Sequence, residues 1–394
     1  MKQKEINAVF KAICSQEKEL ENPGLLSGSA GRNLSLLYAA RLIGNENYRS
    51  KADALLDELP DEINSCEMVS HCSGLAGIGW FYQHINDQAF INDDINLLLE
   101  NFDRYLPVAM EQYLSEEKTD FLHEAGGIAL YFYSRRNDFG GASKILENYA
   151  ETMDLLSIQE NNQLRWNNVL YPESGKKGSN ISLSHGMSAF AVLFSKLFSI
   201  DKWEGIDLDR IITGTINYIL AQSLPIGEYN SFFPPISLDS DYGVYSSRLA
   251  WCYGDLGIGM ALYQAGKMLN RQDWIDKAVN VLLYAAEKRR DLSQNGVVDA
   301  CFCHGTSGIA HIFYRMWWNT RLPEFKQASC YWIDQTLKMA RFEDGLAGYK
   351  TWQGTEQGYQ CSTGLLEGLA GIGLVLLSYY YEIEPTWDEC LLLS

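Results

Sequence analysis

The chain has 394 residues, of which 46% are hydrophobic and 21% are charged, and its formal net charge is −18 at pH 7. This excess of carboxylates argues against a surface that binds nucleic acid or an anionic membrane, because both carry negative charge. No run of about 18 apolar residues occurs, so no membrane span is predicted. A chain of this length is too long for one ordinary core, unless the core is annular or built of repeats.

The cysteines indicate a reducing compartment. There are nine, an odd number in a large chain, whereas disulfide frameworks are typical of small secreted domains. The first residues, Met1 to Glu5, lead into an amphipathic segment rather than the apolar block of a signal peptide. These features predict a soluble cytoplasmic protein.

A Gly-x-x-Gly motif recurs seven times along the chain. The copies begin at residues 28, 74, 124, 186, 254, 305 and 368. Two copies depart from the pattern: Glu124 replaces the first small residue of the third, and Ala189 replaces the second glycine of the fourth. Successive copies start 46 to 68 residues apart. This spacing accommodates two helices and their loops in each repeat.

Two kinds of helix are predicted in each repeat. An apolar segment follows each motif, which is typical of a helix buried on most sides. More amphipathic segments lie between the motifs, for example at 92–106, 141–153, 208–222, 273–289 and 325–341. Helix pairs of this kind bury their apolar faces by stacking on neighbouring pairs. The pattern predicts one all-α domain over residues 1–394, an α/α toroid with seven inner and seven outer helices.

Two connections differ from the others. Residues 161–180 could hold a short hairpin, and residues 223–241, which include Pro225, Pro234 and Pro235, predict a long loop of a kind that is often functional. The glycine motifs should lie at the amino-terminal ends of the inner helices. There they permit close backbone approach and point N–H groups towards a common centre.

The residues just before the motifs suggest a metal site. Cys252 and Cys303 each stand two places before the first glycine of a motif, and His304 follows Cys303. If the two motifs are equivalent in a repeat fold, both cysteines point into one shared space. Two thiolates and an imidazole are zinc ligands, and three protein ligands leave the fourth position open, as in catalytic sites. The place immediately before the motif is polar in several copies: Ser73, His123, His185, Tyr253, His304 and Glu367.

Four sequence features together carry a resemblance to a known family. They are Arg248-x-x-Trp251-Cys252-Tyr253-Gly254, Cys303-His304-Gly305, Ser184-His185-Gly186, and Asp120 seven residues before Gly127. With them the chain resembles, nearly from end to end, the lanthionine synthetase C-like family. The resemblance is to its class I stand-alone members, the zinc-dependent cyclases of lanthipeptide antibiotic biosynthesis.

The resemblance implies a role for each matching residue. The zinc ligands would be Cys252, Cys303 and His304, with one zinc ion per chain. The catalytic histidine and aspartate would be His185 and Asp120. Arg248 and Tyr253 match further active-site positions. The third copy departs from the family pattern, since His123-Glu124 stands where a glycine is usual at the second place, so the loop around Asp120 could differ and His123 becomes an alternative histidine.

The implied reaction adds a peptide cysteine thiol to dehydroalanine or dehydrobutyrine and so forms a thioether ring. Zinc would deprotonate the thiol, and His185 would protonate the resulting enolate. Asp120 would orient a histidine, and Arg248 would stabilise the enolate oxygen. The implied partners are a dehydrated precursor peptide, a separate dehydratase, for which the chain has no room, and an exporter. No nucleic acid is expected.

Several alternatives stay open at this point. A family relative could instead add glutathione to dehydrated residues in proteins, and a zinc-stabilised toroid could be a non-catalytic scaffold. A helical-toroid glycosidase could recruit Asp120, Glu124 and Glu367 as paired carboxylates, but this leaves the Cys-Cys-His set unexplained. Asp120 could also be only a helix cap, and buried cysteines such as Cys301 are usually core residues.

Overall fold

A helix begins at the second residue of every Gly-x-x-Gly motif. The structure, a computed structural model, describes residues 2–16, 22–92, 94–171, 176–200, 203, 205–240 and 243–394. The seven inner helices are α2 (Ser29–Ala39), α4 (Leu75–Asp87), α6 (Ala125–Ser134), α8 (Met187–Phe198), α10 (Asp255–Met268), α12 (Thr306–Thr320) and α15 (Leu369–Tyr381). They are buried over most of their length, as the apolar segments predicted.

The remaining long helices bury one face each. They are α1 (Lys2–Ser15), α3 (Glu46–Asn64), α5 (Asn96–Ser115), α7 (Ala142–Leu156), α9 (Leu208–Ala221), α11 (Gln272–Lys288) and α13 (Pro323–Lys338). No helix in the described part of the chain is both long and apolar enough to cross a membrane.

One helix boundary differs from the prediction. The predicted segment 92–106 stops before Pro107, whereas α5 continues through the proline to Ser115. Proline removes one backbone hydrogen bond inside a helix. The apolar stripe continues on both sides of it, however, with Leu106, Met110 and Leu114 all buried. Burial of this stripe therefore outweighs the lost bond.

The strands are confined to three antiparallel hairpins among the described residues. They pair β1 (Ile158–Glu160) with β2 (Gln163–Arg165), β3 (Asn168–Tyr171) with β4 (Lys176–Gly178), and β5 (Thr351–Trp352) with β6 (Tyr359–Gln360). The second of these lies within 161–180, where one hairpin was expected, although Pro172 and Gly175 lie outside the described residues, and the first begins earlier, at Ile158. Short helical segments lie at Ala40–Gly44, Arg135–Asn137, Leu238–Ser240, Gly354–Gln357 (α14) and Thr386–Leu391. The predicted loop 223–241 is a loop as far as Ser237, and Asp241 lies outside the described residues.

The helices are grouped in two compact units. The first unit comprises Met1–Asp93 and Gly296–Trp387, and the second comprises Asp94–Asn295 and Asp388–Ser394. Motif copies one, two, six and seven belong to the first unit, and copies three to five belong to the second. Within the first unit the inner helices pack in the order α12, α15, α2, α4, and within the second in the order α6, α8, α10. Within each unit, neighbouring inner helices of the series are therefore in direct contact.

The second glycine of the motif is required by a close backbone approach. A Cβ atom on Gly77 would lie 2.0 Å from the carbonyl oxygen of His71, and one on Gly308 would lie 1.9 Å from that of Phe302. Both distances are far below van der Waals contact. The inner helices of these copies are thus pressed against the loops that precede them, and the residues before each motif stand at the helix amino terminus.

The loops of copies one, two, three, four and six share one turn. The amide of the first motif residue donates to the carbonyl four places earlier, as Gly74 does to Ser70 (3.0 Å) and Gly305 to Cys301 (3.1 Å). This bond joins two backbone groups. It therefore leaves the side chains of the two residues before the motif available for other contacts.

Neighbouring loops of the first unit are joined by a lateral hydrogen-bond chain through the residue two places before each motif. The amide of Cys303 donates to the carbonyl of Leu366 (2.9 Å), the amide of Leu366 to Leu26 (2.8 Å), and the amide of Leu26 to Cys72 (2.9 Å). In the second unit the amide of Ser184 donates to the carbonyl of Cys252 at 3.5 Å. Equivalent residues of neighbouring repeats therefore stand side by side.

Gly254 departs from the other motif starts. Its φ is +82° with ψ −153°, whereas Gly74 has φ −132°. This backbone region is accessible to glycine at little cost and strained for other residues. A Cβ atom would also lie 2.2 Å from Oγ of Ser247.

Replacing Gly254 by alanine should therefore destabilise the protein by about 1–3 kcal/mol from backbone strain, with the clash against Ser247 adding to it. The thermal unfolding midpoint, followed by circular dichroism, should fall. Gly354→Ala is the matched control, because Gly354 has φ +86° but no atom within 4 Å of a Cβ. Equal shifts for the two variants would contradict the steric part of this prediction.

Candidate active site

Cys303, His304 and Glu367 form a cluster of potential metal ligands in the first unit. One ligand atom of each residue lies within 4.8 Å of those of the other two. His304 is buried, whereas Cys303 and Glu367 are half-buried. The cluster arises because the lateral bond from Cys303 to Leu366 joins the two loops and so brings Glu367 beside His304. Thiolate, imidazole and carboxylate are all zinc ligands, so this donor set fits a zinc ion.

A buried carboxylate supports His304 from behind. Oδ2 of Asp299 lies 3.3 Å from Nε2 of His304, and Asp299 also accepts hydrogen bonds from the amides of Cys301 (3.1 Å) and Trp352 (2.8 Å). Burial acts to raise the pKa of Asp299, but His304 and the two amides outweigh it and lower the pKa below its usual value. An ionised carboxylate at one ring nitrogen fixes the tautomer and leaves the other nitrogen to bind a metal.

A second combination shares His304. Ligand atoms of Asp299, Cys301 and His304 also lie within 4.8 Å of one another. Cys301 is fully buried, and burial together with the charge of Asp299 raises the pKa of its thiol well above the ordinary value. Because zinc itself deprotonates a bound thiol, this shift does not decide between the two combinations. Cys301 is fully buried, whereas Cys303 is half-buried, so the cluster with Cys303 and Glu367 is the one that a substrate can reach.

In the second unit, Asp120 and His185 form a hydrogen-bonded pair. Nδ1 of His185 lies 2.7 Å from Oδ2 of Asp120, and the side chains are 27% and 13% exposed. The other carboxylate oxygen of Asp120 accepts from the amide of His123 (2.9 Å). The amide of Asp120 in turn donates to Oε2 of Glu124 (2.8 Å). This reciprocal arrangement resembles a capping box and holds Asp120 in place, so Glu124 acts as a brace in the third copy.

The environment of His185 favours its protonated form. Burial acts to lower the pKa of His185, but the hydrogen bond to Asp120 and the charges of Asp120, Cys252 and Glu124 outweigh it and raise the pKa. A histidine whose pKa is raised above about 6.5 carries a proton over more of the neutral range. It is therefore suited to donate that proton to a substrate.

Two aromatic rings flank His185. The ring of His123 lies 5.7 Å away at an interplanar angle of 21°, and the ring of Tyr253 lies 6.0 Å away. Asp120 contacts the imidazole of His185 but bonds the backbone amide of His123. Of the two histidines, His185 is thus the one whose ring is paired with the aspartate, and His123 is exposed beside it.

Cys252 is 2% exposed and contacts a cation. Nη2 of Arg248 lies 3.6 Å from its Sγ and donates to it, which favours the thiolate. The predicted ligands are thus divided between the units, Cys303 and His304 in the first and Cys252 in the second. The structure brings Cys303 and His304 together, and separately Arg248 and Cys252. The roles expected for these residues stay predictions.

Sequence reasoning missed the contribution of Asp299. The signal was present in the repeats, because Asn22 and Asn180 stand at the equivalent place, six residues before their motifs. Each accepts a hydrogen bond from the amide two residues later, at 2.9 Å. A neutral amide side chain is therefore enough for the turn. The charged Asp299 at the same place indicates a further task, which the structure identifies as the contact with His304.

Comparisons with known proteins agree on one family. The profile described as lanthionine synthetase C-like protein matches residues 19–392. The nisin biosynthesis protein NisC of Lactococcus lactis subsp. lactis is 24% identical over 416 residues, which covers 96% of this chain and 91% of that protein.

Among solved structures, nisin cyclase is similar with a TM-score of 0.72 and 19% identity, over 100% of this chain and 96% of that one. The match confirms the predicted fold class, the all-α toroid. Because its profile covers most of the sequence, the chain belongs to the lanthionine synthetase C-like protein family.

Proposed function

We propose that this protein is a zinc-dependent lanthipeptide cyclase, which adds cysteine thiols of a dehydrated precursor peptide to dehydroalanine or dehydrobutyrine and forms lanthionine or methyllanthionine rings. Family membership and the likeness to a nisin biosynthesis protein support this class of reaction. The observation that carries it is the hydrogen bond between Asp120 and His185, because a non-catalytic scaffold has no use for a paired proton donor at a partly open position.

The proposed zinc ligands are Cys252, Cys303 and His304, one ion per chain. Three contacts and the positions of these residues in their repeats support this assignment. Both cysteines take part in lateral backbone bonds at the same place of their repeats, Arg248 favours the thiolate of Cys252, and Asp299 orients His304. When bound, zinc lowers the pKa of a coordinated thiol and so supplies a nucleophile at neutral pH.

Residues of the chain then transfer the proton that the product requires. In the reaction the S–H bond of the peptide cysteine breaks and its proton passes to solvent, an S–C bond forms at the β-carbon as the C=C π bond breaks, and a proton is added at the α-carbon. His185 donates that last proton. Its Nδ1 is held by Asp120, so Nε2 is the donating atom, and Asp120 keeps the ring charged and oriented. Tyr253 lies beside the ring and limits its movement.

The partners follow from the substrate. A separate dehydratase would supply the dehydrated peptide, an exporter would take the product, and both substrate and enzyme would be cytoplasmic.

The direct test uses a synthetic peptide with one dehydroalanine and one cysteine. Cyclisation leaves the mass unchanged but removes the free thiol, so alkylation with N-ethylmaleimide followed by mass spectrometry measures it. Protein with zinc should make the peptide resistant to alkylation faster than buffer with zinc does. If the rates with and without protein are equal, the protein does not cyclise this peptide. If the protein then adds glutathione to the peptide when glutathione is supplied, the glutathione-transfer alternative is favoured.

Replacing Asp299 by asparagine should weaken zinc binding by about 10- to 100-fold, the usual effect of losing a carboxylate behind a metal-bound histidine. Asparagine preserves the turn, since Asn22 and Asn180 make the same bond. The variant therefore removes mainly the charge. Competition with a chromogenic chelator measures the affinity.

The matched control is Asp291→Asn, because Asp291 also accepts a backbone amide in a loop, at 2.8 Å from Gln294, and is exposed. Its zinc affinity should equal that of the wild type. Unchanged affinity in Asp299→Asn would contradict the support of His304 by Asp299.

A further inference from the structure

Arg248 carries an exposed side chain on a backbone that is buried on both sides of it. Its chain neighbours Ser247 and Leu249 are buried, whereas Arg248 itself is exposed. Its guanidinium contacts the sulfur of Cys252, so the charge stands beside the candidate site. An exposed cation adds little to a hydrophobic core, and a fixed backbone beneath it is suited to keep the charge at one place.

Both chain neighbours of Arg248 are held by one hydrogen-bonded pair of residues. Nη2 of Arg289 donates to the carbonyl of Ser247 at 2.5 Å, and the amide of Leu249 donates to the carbonyl of Asn295 at 3.1 Å. The pair is closed by Nε of Arg289, which donates to Oδ1 of Asn295 at 2.8 Å. The segment that carries Arg248 is therefore bracketed from both ends.

The charge of Arg289 is balanced by Asp255, the first residue of α10. Nη1 of Arg289 lies 3.0 Å from Oδ2 of Asp255, and both side chains are 0% exposed. The carboxylate of Asp255 also accepts hydrogen bonds from the amides of Phe232 (3.1 Å) and Phe233 (3.0 Å). The ion pair thus joins the loop predicted at 223–241, the start of an inner helix and the segment before that helix.

A fully buried ion pair is weak evidence for stability. Removing two charges from water costs free energy that their attraction only partly offsets, and apolar residues of similar size often pack as well. Apolar residues lack direction, however, whereas a guanidinium presents its donors in a fixed fork. Arg289 uses three nitrogens on three different acceptors, so its particular contribution is to fix their relative positions.

We propose that Arg289, neutralised by Asp255, is a positioning residue that holds Arg248 in place for the reaction. The inference rests on the proposed function, in which Arg248 stabilises the negative charge that develops on the enolate oxygen. A cation that is already fixed stabilises this charge without reorganisation at the moment of reaction. Arg289 is buried and reaches the site only through the backbone beside Arg248.

The test is Arg289→Lys, which keeps the charge opposite Asp255 but replaces the fork by a single ammonium group. In the alkylation assay kcat should fall about 10- to 100-fold, as for a misplaced group, while KM and zinc content stay unchanged. The matched control is Arg271→Lys at the other end of α11. Arg271 makes a two-point contact with Asp273 but its side chain is 41% exposed, so kcat should equal the wild-type value.

Hydrogen exchange followed by mass spectrometry checks the positioning in the absence of substrate. The amides of residues 247–249 should exchange faster in Arg289→Lys than in the wild type, while those of α8 keep their rates. Unchanged exchange at 247–249 would contradict the bracket. If exchange rises throughout the second unit, Arg289→Lys is destabilised, and the variant Asp255→Asn/Arg289→Gln replaces it. This variant removes both buried charges together and should show the same loss of kcat.

A double-mutant cycle separates positioning from a general structural role. With protein in excess over peptide, Arg289→Lys should cause no further loss of rate in the Arg248→Gln background, because no guanidinium is left to position. The same relative loss in both backgrounds would overturn the inference and leave the cyclase proposal standing. Wild-type protein that forms no rings would instead overturn the proposed function, whereas the exchange experiment reports the bracket around Arg248 in either case.

Discussion

Cys303→Ala should purify without zinc and form no thioether rings, whereas the wild type should carry about one zinc ion per chain. Loss of one of three protein ligands leaves a site of a histidine and a single thiolate, which holds zinc too weakly to survive purification. The fold should persist, since the lateral bond uses the backbone amide of Cys303 and not its sulfur. Elemental analysis gives the metal content, and the alkylation assay gives the activity.

Cys301→Ala is the matched control for this experiment. Cys301 lies two residues away and completes the rival set with Asp299 and His304, but it is fully buried. The control should retain zinc and activity. Its stability should fall slightly, because the substitution removes the buried sulfur of Cys301 from the core. Loss of zinc in Cys301→Ala but not in Cys303→Ala would show that the rival set holds the metal.

His185→Asn should lower the rate of ring formation by about 10²- to 10⁴-fold, the usual contribution of a positioned acid or base. Zinc content should be unaffected, because His185 is not among the proposed ligands. This combination separates a proton-transfer role from a metal-binding one. His123→Gln is the control, since His123 stacks on the same ring but its side chain is not bonded to Asp120.

Asp120→Asn should change the pH dependence as well as the rate. The pKa of His185 is raised by Asp120, so the protonated form, and with it the activity, is present below that raised pKa and is lost as the pH rises through it. Removing the charge of Asp120 lowers the pKa of His185, and the falling limb of the rate profile should move to lower pH. If the falling limb stays at the same pH in Asp120→Asn, it reports the titration of a group other than His185.

Much of the fold was predictable because the repeat motif records a steric requirement. A Cβ atom on Gly77 or Gly308 would collide with a carbonyl oxygen of the preceding loop, so the second glycine marks the start of an inner helix wherever it occurs. The end of α5 was not predictable by the same logic. Whether a helix ends at Pro107 depends on the burial of Met110 and Leu114, which is a property of packing and not of the local sequence.

For the candidate site, the sequence predicts residue types and repeat positions but not the contacts between loops. Asp120 and His185 are 65 residues apart, and only the structure shows which histidine Asp120 contacts. The same holds for Asp299 and Glu367, whose relation to His304 depends on tertiary contacts. The departure at His123-Glu124 put the geometry of the loop around Asp120 in doubt. The structure shows that Glu124 accepts a hydrogen bond from the amide of Asp120 there, while the catalytic role of Asp120 stays a prediction.

The lateral hydrogen-bond chain bears on how such a site could evolve and be loaded. In the first unit main-chain atoms make every link, so side-chain identity at these positions is uncoupled from folding, and leucine and cysteine both occupy them. A repeat can thus gain or lose a metal-binding residue without rebuilding its turn. For the same reason the apoprotein should be a folded acceptor for zinc, unlike zinc fingers, which fold only when the metal arrives.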